Sequence, residues 1–237
     1  ILALVYPLLK AFHEFGHALA VRALGGHCRE MGLMFLVFIP VPYVDASESV
    51  TLPNKWQRML VGAAGMIAEL GLAAIAVWLW TAVSGGVTKA VLHQVVILAG
   101  VTTLVFNANP LLRFDGYFIL SDALEIPNLA QRANRYVGYL ARRYLFRAEA
   151  RPPLHLTRRE PLWLTAYALG SVVYRTLVTL SIIVLIAGQF FVFGVLLALW
   201  AGYGLVVQPL VKYLRFVARD PAHEGHRRHA ALLSSGR

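Results

Sequence analysis

The chain contains five mostly apolar runs, each about as long as the roughly 20 residues that a helix needs to cross the hydrocarbon core of a membrane. The runs cover residues 1–24, 60–83, 90–106, 162–186 and 190–214. Hydrophobic residues make up 58% of the chain and charged residues only 14%, whereas soluble domains carry about 25% charged residues. This balance excludes a disordered chain and most soluble enzymes, and a single cysteine excludes a disulfide scaffold. The sequence predicts an all-α polytopic membrane protein with about five transmembrane helices.

One apolar segment, residues 33–44, is too short to span a membrane. It contains Pro40 and Pro42, and its Phe, Val, Ile and Tyr residues favour an extended conformation over a helix. Prolines are tolerated at a sheet edge or in a re-entrant loop. We therefore expect a short membrane-associated, β-like insertion. Its backbone edge could receive an unwound peptide by strand addition.

The basic residues fall on one side of the predicted spans. The net charge is +10, and 18 of the 22 Lys and Arg residues lie in segments 25–59, 107–160 and 211–237. With five spans these segments share one face, which the positive-inside rule makes cytoplasmic. An excess of basic residues can also indicate nucleic-acid binding, but here it follows the membrane topology, so we expect no nucleic-acid partner. The Arg-rich segment 131–160 is interpreted as a cytoplasmic interfacial segment.

The first apolar run contains the motif His13-Glu14-Phe15-Gly16-His17, an HExxH pattern. Residues four apart lie on one face of a helix, so both imidazoles can reach one metal ion while Glu14 lies beside them. Zinc binds such nitrogen ligands and lowers the pKa of a bound water, whose proton a neighbouring carboxylate can accept. Two His and a Glu are costly inside lipid, which favours a functional site over a polar helix contact.

A protein zinc site needs a third ligand, and Asp115 is the candidate. It follows Asn107-Ala-Asn-Pro110, where the third apolar run ends and regular helix is broken. Broken backbone at membrane depth is tolerated where it is buried or lines a wet cavity. Asp115-Gly116 also fits an ordinary turn, and the residues alone leave that alternative open.

Together these motifs resemble the site-2 protease family of intramembrane zinc metalloproteases. The resemblance covers about residues 1–130 and rests on the HExxH motif together with Asn107-x-x-Pro110-x4-Asp115-Gly116. Residues 109–129 and the Pro40-Val-Pro-Tyr-Val-Asp45 stretch are similar to the bacterial branch of putative peptide zinc metalloproteases, which is often associated with peptide export or secretion.

The resemblance implies a metalloendopeptidase with one zinc ion per chain. It implies that His13, His17 and Asp115 bind zinc, and that Glu14 is the catalytic base. It implies that the motif Asn and Pro residues hold the substrate. The corresponding residues of this chain are Asn107, Asn109 and Pro110.

Glu69 lies in the second apolar run, after the small residues Gly62-Ala-Ala-Gly65, which allow close helix packing. It is a candidate to accept a ring N–H from a ligating histidine and so fix its tautomer. A buried carboxylate paired with some other polar neighbour is the alternative, and the sequence leaves both open.

The predicted organisation is a catalytic membrane core over 1–130, the interfacial segment 131–160, a two-helix membrane hairpin over 161–215 and a basic, His-containing tail over 216–237. The expected setting is a bacterial cell membrane with the basic loops and C-terminus in the cytoplasm. The expected partners are the lipid bilayer, a membrane-embedded or membrane-associated peptide substrate, and secretion or transport proteins.

Three other functions fit parts of the pattern. A catalytically silent zinc-binding subunit of a transport or secretion assembly would keep the same motif. A di-iron membrane oxidase needs several histidine clusters, and the membrane runs hold only one paired motif. A metal transporter needs a continuous polar path, which the second, fourth and fifth runs do not supply.

Overall fold

The computed structural model describes residues 2–36, 39–145, 157, 159–211 and 214. The elements are α1 (Leu2–Ala23), β1 (Met31–Leu36), β2 (Ile39–Val44), a 3-10 helix (Ser47–Thr51), α2 (Lys55–Ala82), α3 (Gly86–Val101), α4 (Asp115–Leu124), α5 (Leu129–Leu145), α6 (Glu160–Gln189) and α7 (Phe191–Gly202). π-helical turns continue α3 over Thr102–Asn107 and α7 over Tyr203–Val207. The chain divides into two compact units, Ile1–Ser171 and Val172–Arg237. The predicted tail 216–237 lies outside the described residues, as do residues 146–156 and 158 of the Arg-rich segment.

Among the described residues, four helical stretches are long and apolar enough to cross a membrane: Lys55–Ala82, Gly86–Asn107, Glu160–Gln189 and Phe191–Val211. They correspond to the last four predicted runs, which confirms a mostly helical polytopic membrane fold. The first run is also helical. Its 22 residues extend about 33 Å, but Lys10, His13, Glu14 and His17 interrupt its apolar sequence, and it is not among the four stretches.

The extended insertion is an antiparallel hairpin of β1 and β2. The backbone N–H of Asp45 donates to the carbonyl oxygen of Glu30 at 2.9 Å, so hydrogen-bonded pairs alternate along the ladder from that pair. Pro40 and Pro42 therefore occupy non-hydrogen-bonded pairs, where the missing N–H costs the hairpin nothing. The register pairs Met31 with Val44, Gly32 with Tyr43, Leu33 with Pro42, Met34 with Val41, Phe35 with Pro40 and Leu36 with Ile39.

The base of the hairpin is tied to the 3-10 helix by Glu48. Its carboxylate accepts hydrogen bonds from the backbone N–H of His27 at 2.8 Å and from Nε of Arg29 at 3.0 Å. These two bonds hold the pKa of the Glu48 carboxyl below its ordinary value. Strand β2 packs against α1, so the hairpin lies beside the helix that carries the HExxH motif.

Helices α1 and α2 approach closely because Gly16 has no side chain. A Cβ on Gly16 would lie 2.7 Å from the carbonyl oxygen of Ala64 and 2.9 Å from the Cβ of Ala68. Helix α2 begins with an Asn54 cap, whose side chain accepts a hydrogen bond from the N–H of Trp56 at 2.9 Å. Helices α1, α2 and α3 share a buried apolar cluster formed by Leu9, Ala73 and Ala99.

Helix α4 is anchored by a second buried cluster that it shares with α5 and the start of α6. The cluster contains Tyr117, Ile126, Leu129, Ala130, Ala133, Leu164, Tyr167 and Ala168. The hydroxyl of Tyr117 accepts a hydrogen bond from the N–H of Ala130 at 3.1 Å. Arg132 of α5 donates to Glu160 of α6 at 2.8 Å. The buried cluster and the Tyr117 contact fix the helix that begins at Asp115, whereas the Arg132–Glu160 pair joins α5 to α6.

In the second unit, helix α6 ends at Gln189 and Phe190 alone separates it from α7, close to the predicted gap between the runs 162–186 and 190–214. Large apolar side chains point outward from both helices. Leu185 is 72% exposed and Phe191 is 75% exposed. Such a surface is suited to lipid contact.

Candidate metal centre

The two histidines of the HExxH motif lie on one buried face of α1. His13 is 4% exposed and His17 is 8% exposed, and their Nε2 atoms are 3.2 Å apart. The helix places them one turn apart because they are four residues apart in sequence. His17 is six residues from the end of α1 at Ala23, a rise of roughly 9 Å.

Asp115 reaches the same point from the far side of a non-helical turn. The turn follows the π-helical end of α3 and returns the chain so that α4 begins at Asp115. Gly116 makes the return possible, because a Cβ there would lie 2.5 Å from the carbonyl oxygen of Ala108. Arg58 of α2 donates to Asp122 of α4 at 2.9 Å, away from the metal ligands.

The carboxylate of Asp115 faces both imidazoles. Its Oδ2 lies 3.0 Å from His13 Nε2 and its Oδ1 lies 3.5 Å from His17 Nε2. One ligand atom from each of the three residues falls within 4.8 Å of the other two. The structure therefore brings together the three residues that the sequence and the resemblance proposed as metal ligands.

The other ring nitrogens of both histidines are already engaged. His17 Nδ1 donates to the carbonyl oxygen of Val61 at 2.7 Å, and His13 Nδ1 donates to Glu69 Oε2 at 2.9 Å. A carbonyl and a carboxylate can only accept, so both Nδ1 atoms carry the proton. Each neutral imidazole then presents a bare lone pair at Nε2.

With both imidazoles neutral, two Nε2 lone pairs and the Asp115 carboxylate converge on one point. Asp115 Oδ2 is buried and has no hydrogen-bond partner among the described residues. Ligand atoms bound tetrahedrally to zinc at 2.0–2.1 Å lie about 3.3 Å apart. The separations of 3.0, 3.2 and 3.5 Å match that spacing. The donor set and its geometry fit a zinc ion.

Helix α2 leaves room for this cluster. Val61, Gly65 and Glu69 recur every four residues and so share one face of α2. A Cβ on Gly65 would lie 2.7 Å from Nε2 of His13 and would also collide with Nε2 of His17. The sequence indicated Gly65 only as one of the small residues that allow close helix packing, and not as a residue of the site.

Glu14 is half-buried beside the cluster. Within the described part of the chain, no hydrogen bond or ion pair engages its carboxylate. Its position next to His13 on α1 follows from the motif. A carboxylate free of other partners is available to accept a proton.

The three predicted substrate-positioning residues differ in their surroundings. Asn107 is buried at the end of the π-helical turn, and its Nδ2 lies 3.4 Å from Glu69 Oε2. Asn109 is partly buried, and its Oδ1 accepts a hydrogen bond from the N–H of Leu111 at 2.9 Å. Pro110 is exposed.

Glu69 accepts the ring N–H of His13, which is the first of the two alternatives that the sequence left open for it. Sequence reasoning missed three groups around it and around His17. These are the carbonyl of Val61, the ammonium of Lys10 and the hydroxyl of Thr102. A backbone carbonyl leaves no sequence signal, and Lys10 was visible only as a charge inside an apolar run.

A comparison with known families bears on the same part of the chain. The model of peptidase family M50 matches residues 1–96. Over these residues the chain is similar to the peptidases of that family, which supports the resemblance to the site-2 proteases. The match includes the HExxH motif and Glu69 and ends before Asn107 and Asp115. Searches of curated proteins and of solved structures found no match.

Peptidases of family M50 are metalloproteases, so the match supports peptidase function for this chain. Together with the four apolar helices it identifies the chain as an integral membrane protein.

Proposed function

We propose that the chain is a zinc-dependent intramembrane endopeptidase that hydrolyses peptide bonds of membrane-embedded or membrane-associated peptides. The observation that carries the proposal is the convergence of two imidazole lone pairs and the Asp115 carboxylate at 3.0–3.5 Å, with both Nδ1 protons directed away. With both imidazoles neutral, three acceptors this close repel one another, and a metal cation between them would remove that repulsion. His13, His17 and Asp115 would hold one zinc ion and leave a position open for water.

Bound zinc supplies an activated water and polarises the scissile carbonyl. The free carboxylate of Glu14 accepts the proton as the water oxygen bonds to the carbonyl carbon. Glu14 then delivers that proton to the nitrogen of the leaving amine as the C–N bond breaks. The burial of His13 and His17 excludes bulk water from one side of this chemistry.

Asn107, Asn109 and Pro110 are proposed to hold the substrate. Of the two amides, the contacts favour Asn109 as the donor to the scissile carbonyl or the oxyanion. The amide of Asn107 is directed at Glu69, whereas among the described residues Asn109 is engaged through its oxygen, which accepts from Leu111.

The outer edge of β1 is the proposed docking edge for an extended substrate. Met31, Leu33 and Phe35 occupy non-hydrogen-bonded pairs, so their N–H and C=O groups point away from β2. The opposite edge of the hairpin lacks N–H donors at both prolines and packs against α1. Proteolysis requires an extended substrate, and β1 offers the backbone groups that strand addition uses.

The proposed orientation places the basic segments in the cytoplasm, and the metal centre near that face. Helix α5 is amphipathic, and its Arg135, Arg142 and Arg143 are exposed, as expected of a helix at a membrane surface. The resemblance to the bacterial branch leads us to propose a bacterial cell membrane and peptide-export or secretion proteins as partners.

The test is cleavage of membrane-embedded peptides by the purified chain in proteoliposomes, with the wild type beside Glu14→Gln. We expect zinc-dependent cleavage by the wild type and a loss of at least about 100-fold in the variant, since general acid–base catalysis contributes about that much or more. Zinc content of both proteins is measured in parallel and should be equal. Full activity in Glu14→Gln would contradict the role of Glu14. Bound zinc with no cleavage of any peptide would favour the silent-subunit function.

A further inference from the structure

The carboxylate of Glu69 is completely buried in α2 yet surrounded by polar groups. Its exposed fraction is 0%, and it is among the largest fully buried side chains described. An ionised carboxylate at membrane depth is costly unless it is paired and hydrogen-bonded. The contacts of Glu69 must therefore offset the cost of burying its charge.

The two oxygens of Glu69 are held from different helices. Oε2 accepts from His13 Nδ1 at 2.9 Å and lies 3.6 Å from Nζ of Lys10, both on α1. Oε1 accepts from the hydroxyl of Thr102, the first residue of the π-helical turn. The plane of the carboxylate is thus fixed at both ends, which aims Oε2 at the ring of His13.

Lys10 and His13 are three residues apart, so they lie side by side on the face of α1 that packs against α2. The ammonium of Lys10 is only 14% exposed. Lys10 therefore offsets the charge of Glu69 at the same oxygen that the histidine uses.

The charges around the site are consistent with a divalent cation. Besides the two histidines, taken as neutral, four ionisable side chains lie in or beside the cluster: Lys10, Glu14, Glu69 and Asp115. Three carboxylates against one ammonium leave a formal charge of −2, which one divalent ion cancels. Without Lys10, the cluster would carry one more uncompensated negative charge inside an apolar segment.

We propose that Lys10 and Glu69 are a buried pair of positioning residues that sets the zinc affinity of the centre. Glu69 holds the Nδ1 proton of His13 and so directs Nε2 toward the metal, while Lys10 and Thr102 hold Glu69. The inference rests on the proposed function in taking His13 as a zinc ligand. Partners of this kind raise metal affinity about 10- to 100-fold, because they fix the ring orientation and increase ligand basicity.

The decisive variant removes both charges and keeps the volume: Lys10→Met together with Glu69→Met. Replacing a buried ion pair by apolar residues of similar size is commonly neutral for folding. The matched control is Arg132→Met with Glu160→Met, which removes a partly buried pair of the same unit that does not contact the metal centre. Zinc affinity of the full chain in detergent is measured by competition with a chelating fluorophore, and thermal unfolding is measured without metal.

We expect the Lys10/Glu69 double variant to unfold at a temperature near that of the wild type but to bind zinc about 10- to 100-fold more weakly. The control should keep wild-type zinc affinity. Zinc affinity within twofold of the wild type in the Lys10/Glu69 variant would overturn the proposal and leave the pair a purely structural one. A wild type that binds no zinc would overturn the proposed function itself, so the two failures are distinguishable.

A milder pair of variants covers the case in which the double variant does not fold. Thr102→Val removes only the hydroxyl that holds Oε1 of Glu69, and Thr102→Ser keeps that hydroxyl. We expect Thr102→Val to bind zinc severalfold more weakly than the wild type, and Thr102→Ser to bind zinc as tightly as the wild type. Equal zinc affinities in the two variants would overturn the positioning role of this contact.

Discussion

Helix α1 of the first unit and helix α7 of the second unit contrast in how they tolerate polar groups. Five ionisable side chains interrupt α1, and two of them, His13 and His17, are buried. Helix α7 contains no charged residue and exposes large apolar side chains such as Phe191 and Trp200. The difference shows that polar groups in an apolar helix persist where a neighbouring helix approaches closely and offers partners. Gly16 and Gly65 make that approach possible on α1 and α2.

The largest expected effect comes from filling the space that Gly65 leaves between α1 and α2. Gly65→Ala places a methyl group against Nε2 of both histidines. We expect zinc occupancy to fall from about one ion per chain to near zero, because the ligand atoms lose their shared space. Zinc content of the purified chain is the measurement. Gly71→Ala is the control, since nothing lies within 4 Å of a Cβ there. Normal zinc in Gly65→Ala would contradict the location of the site.

The second expected effect concerns the apolar surface of the second unit. Leu185→Arg places an unpaired charge on an outward face of α6 that is 72% exposed. An Arg costs about 2.5–3.5 kcal/mol on insertion at a helix centre and less near a helix end, and Leu185 lies four residues before Gln189, so we expect membrane insertion of α6 to fall by less than about 100-fold. Insertion is measured with a glycosylation reporter, and Leu185→Ala serves as the control. Equal insertion of both variants would show that α6 does not face lipid at this position.

The smallest expected effect concerns the hairpin, where the outward backbone groups of β1 are proposed to dock the substrate. Leu33→Pro removes one outward N–H and spares the ladder, because Leu33 pairs with Pro42 without hydrogen bonds. Losing one hydrogen bond of about 1 kcal/mol should lower kcat/KM about fivefold. Met34→Pro is the comparison variant. Met34 lies in a hydrogen-bonded pair with Val41, so loss of its backbone N–H weakens the hairpin itself. Unchanged kcat/KM in Leu33→Pro would contradict docking on this edge.

Much of the fold was predictable because it follows from the lengths of the apolar runs and from the Gly, Pro and Asn residues at which those runs end. The end of the third predicted run at residue 106 agrees with the π-helical end at Asn107. The extended insertion was predictable from its composition, and Pro40 and Pro42 lie where their missing N–H groups are harmless. The predicted domain boundaries at residues 130, 160 and 215 stay predictions.

The candidate site was predictable only in part. The spacing of His13 and His17 determines their shared face, whereas Asp115 depends on a turn whose path the sequence does not encode locally. The Val61 carbonyl is invisible in a sequence because every residue has one. Lys10 and Thr102 belong to the site only because α1 and the π-helical turn both meet Glu69.

The most direct test of the metal centre is the zinc content of the purified chain in detergent, with the wild type beside Asp115→Ala. The control is Asp122→Ala, a carboxylate on the same helix that pairs with Arg58 instead. We predict about one zinc per chain in the wild type and in Asp122→Ala, and its loss in Asp115→Ala. Full zinc occupancy in Asp115→Ala would contradict Asp115 as the third ligand, and no zinc in the wild type would contradict the metal centre as a whole.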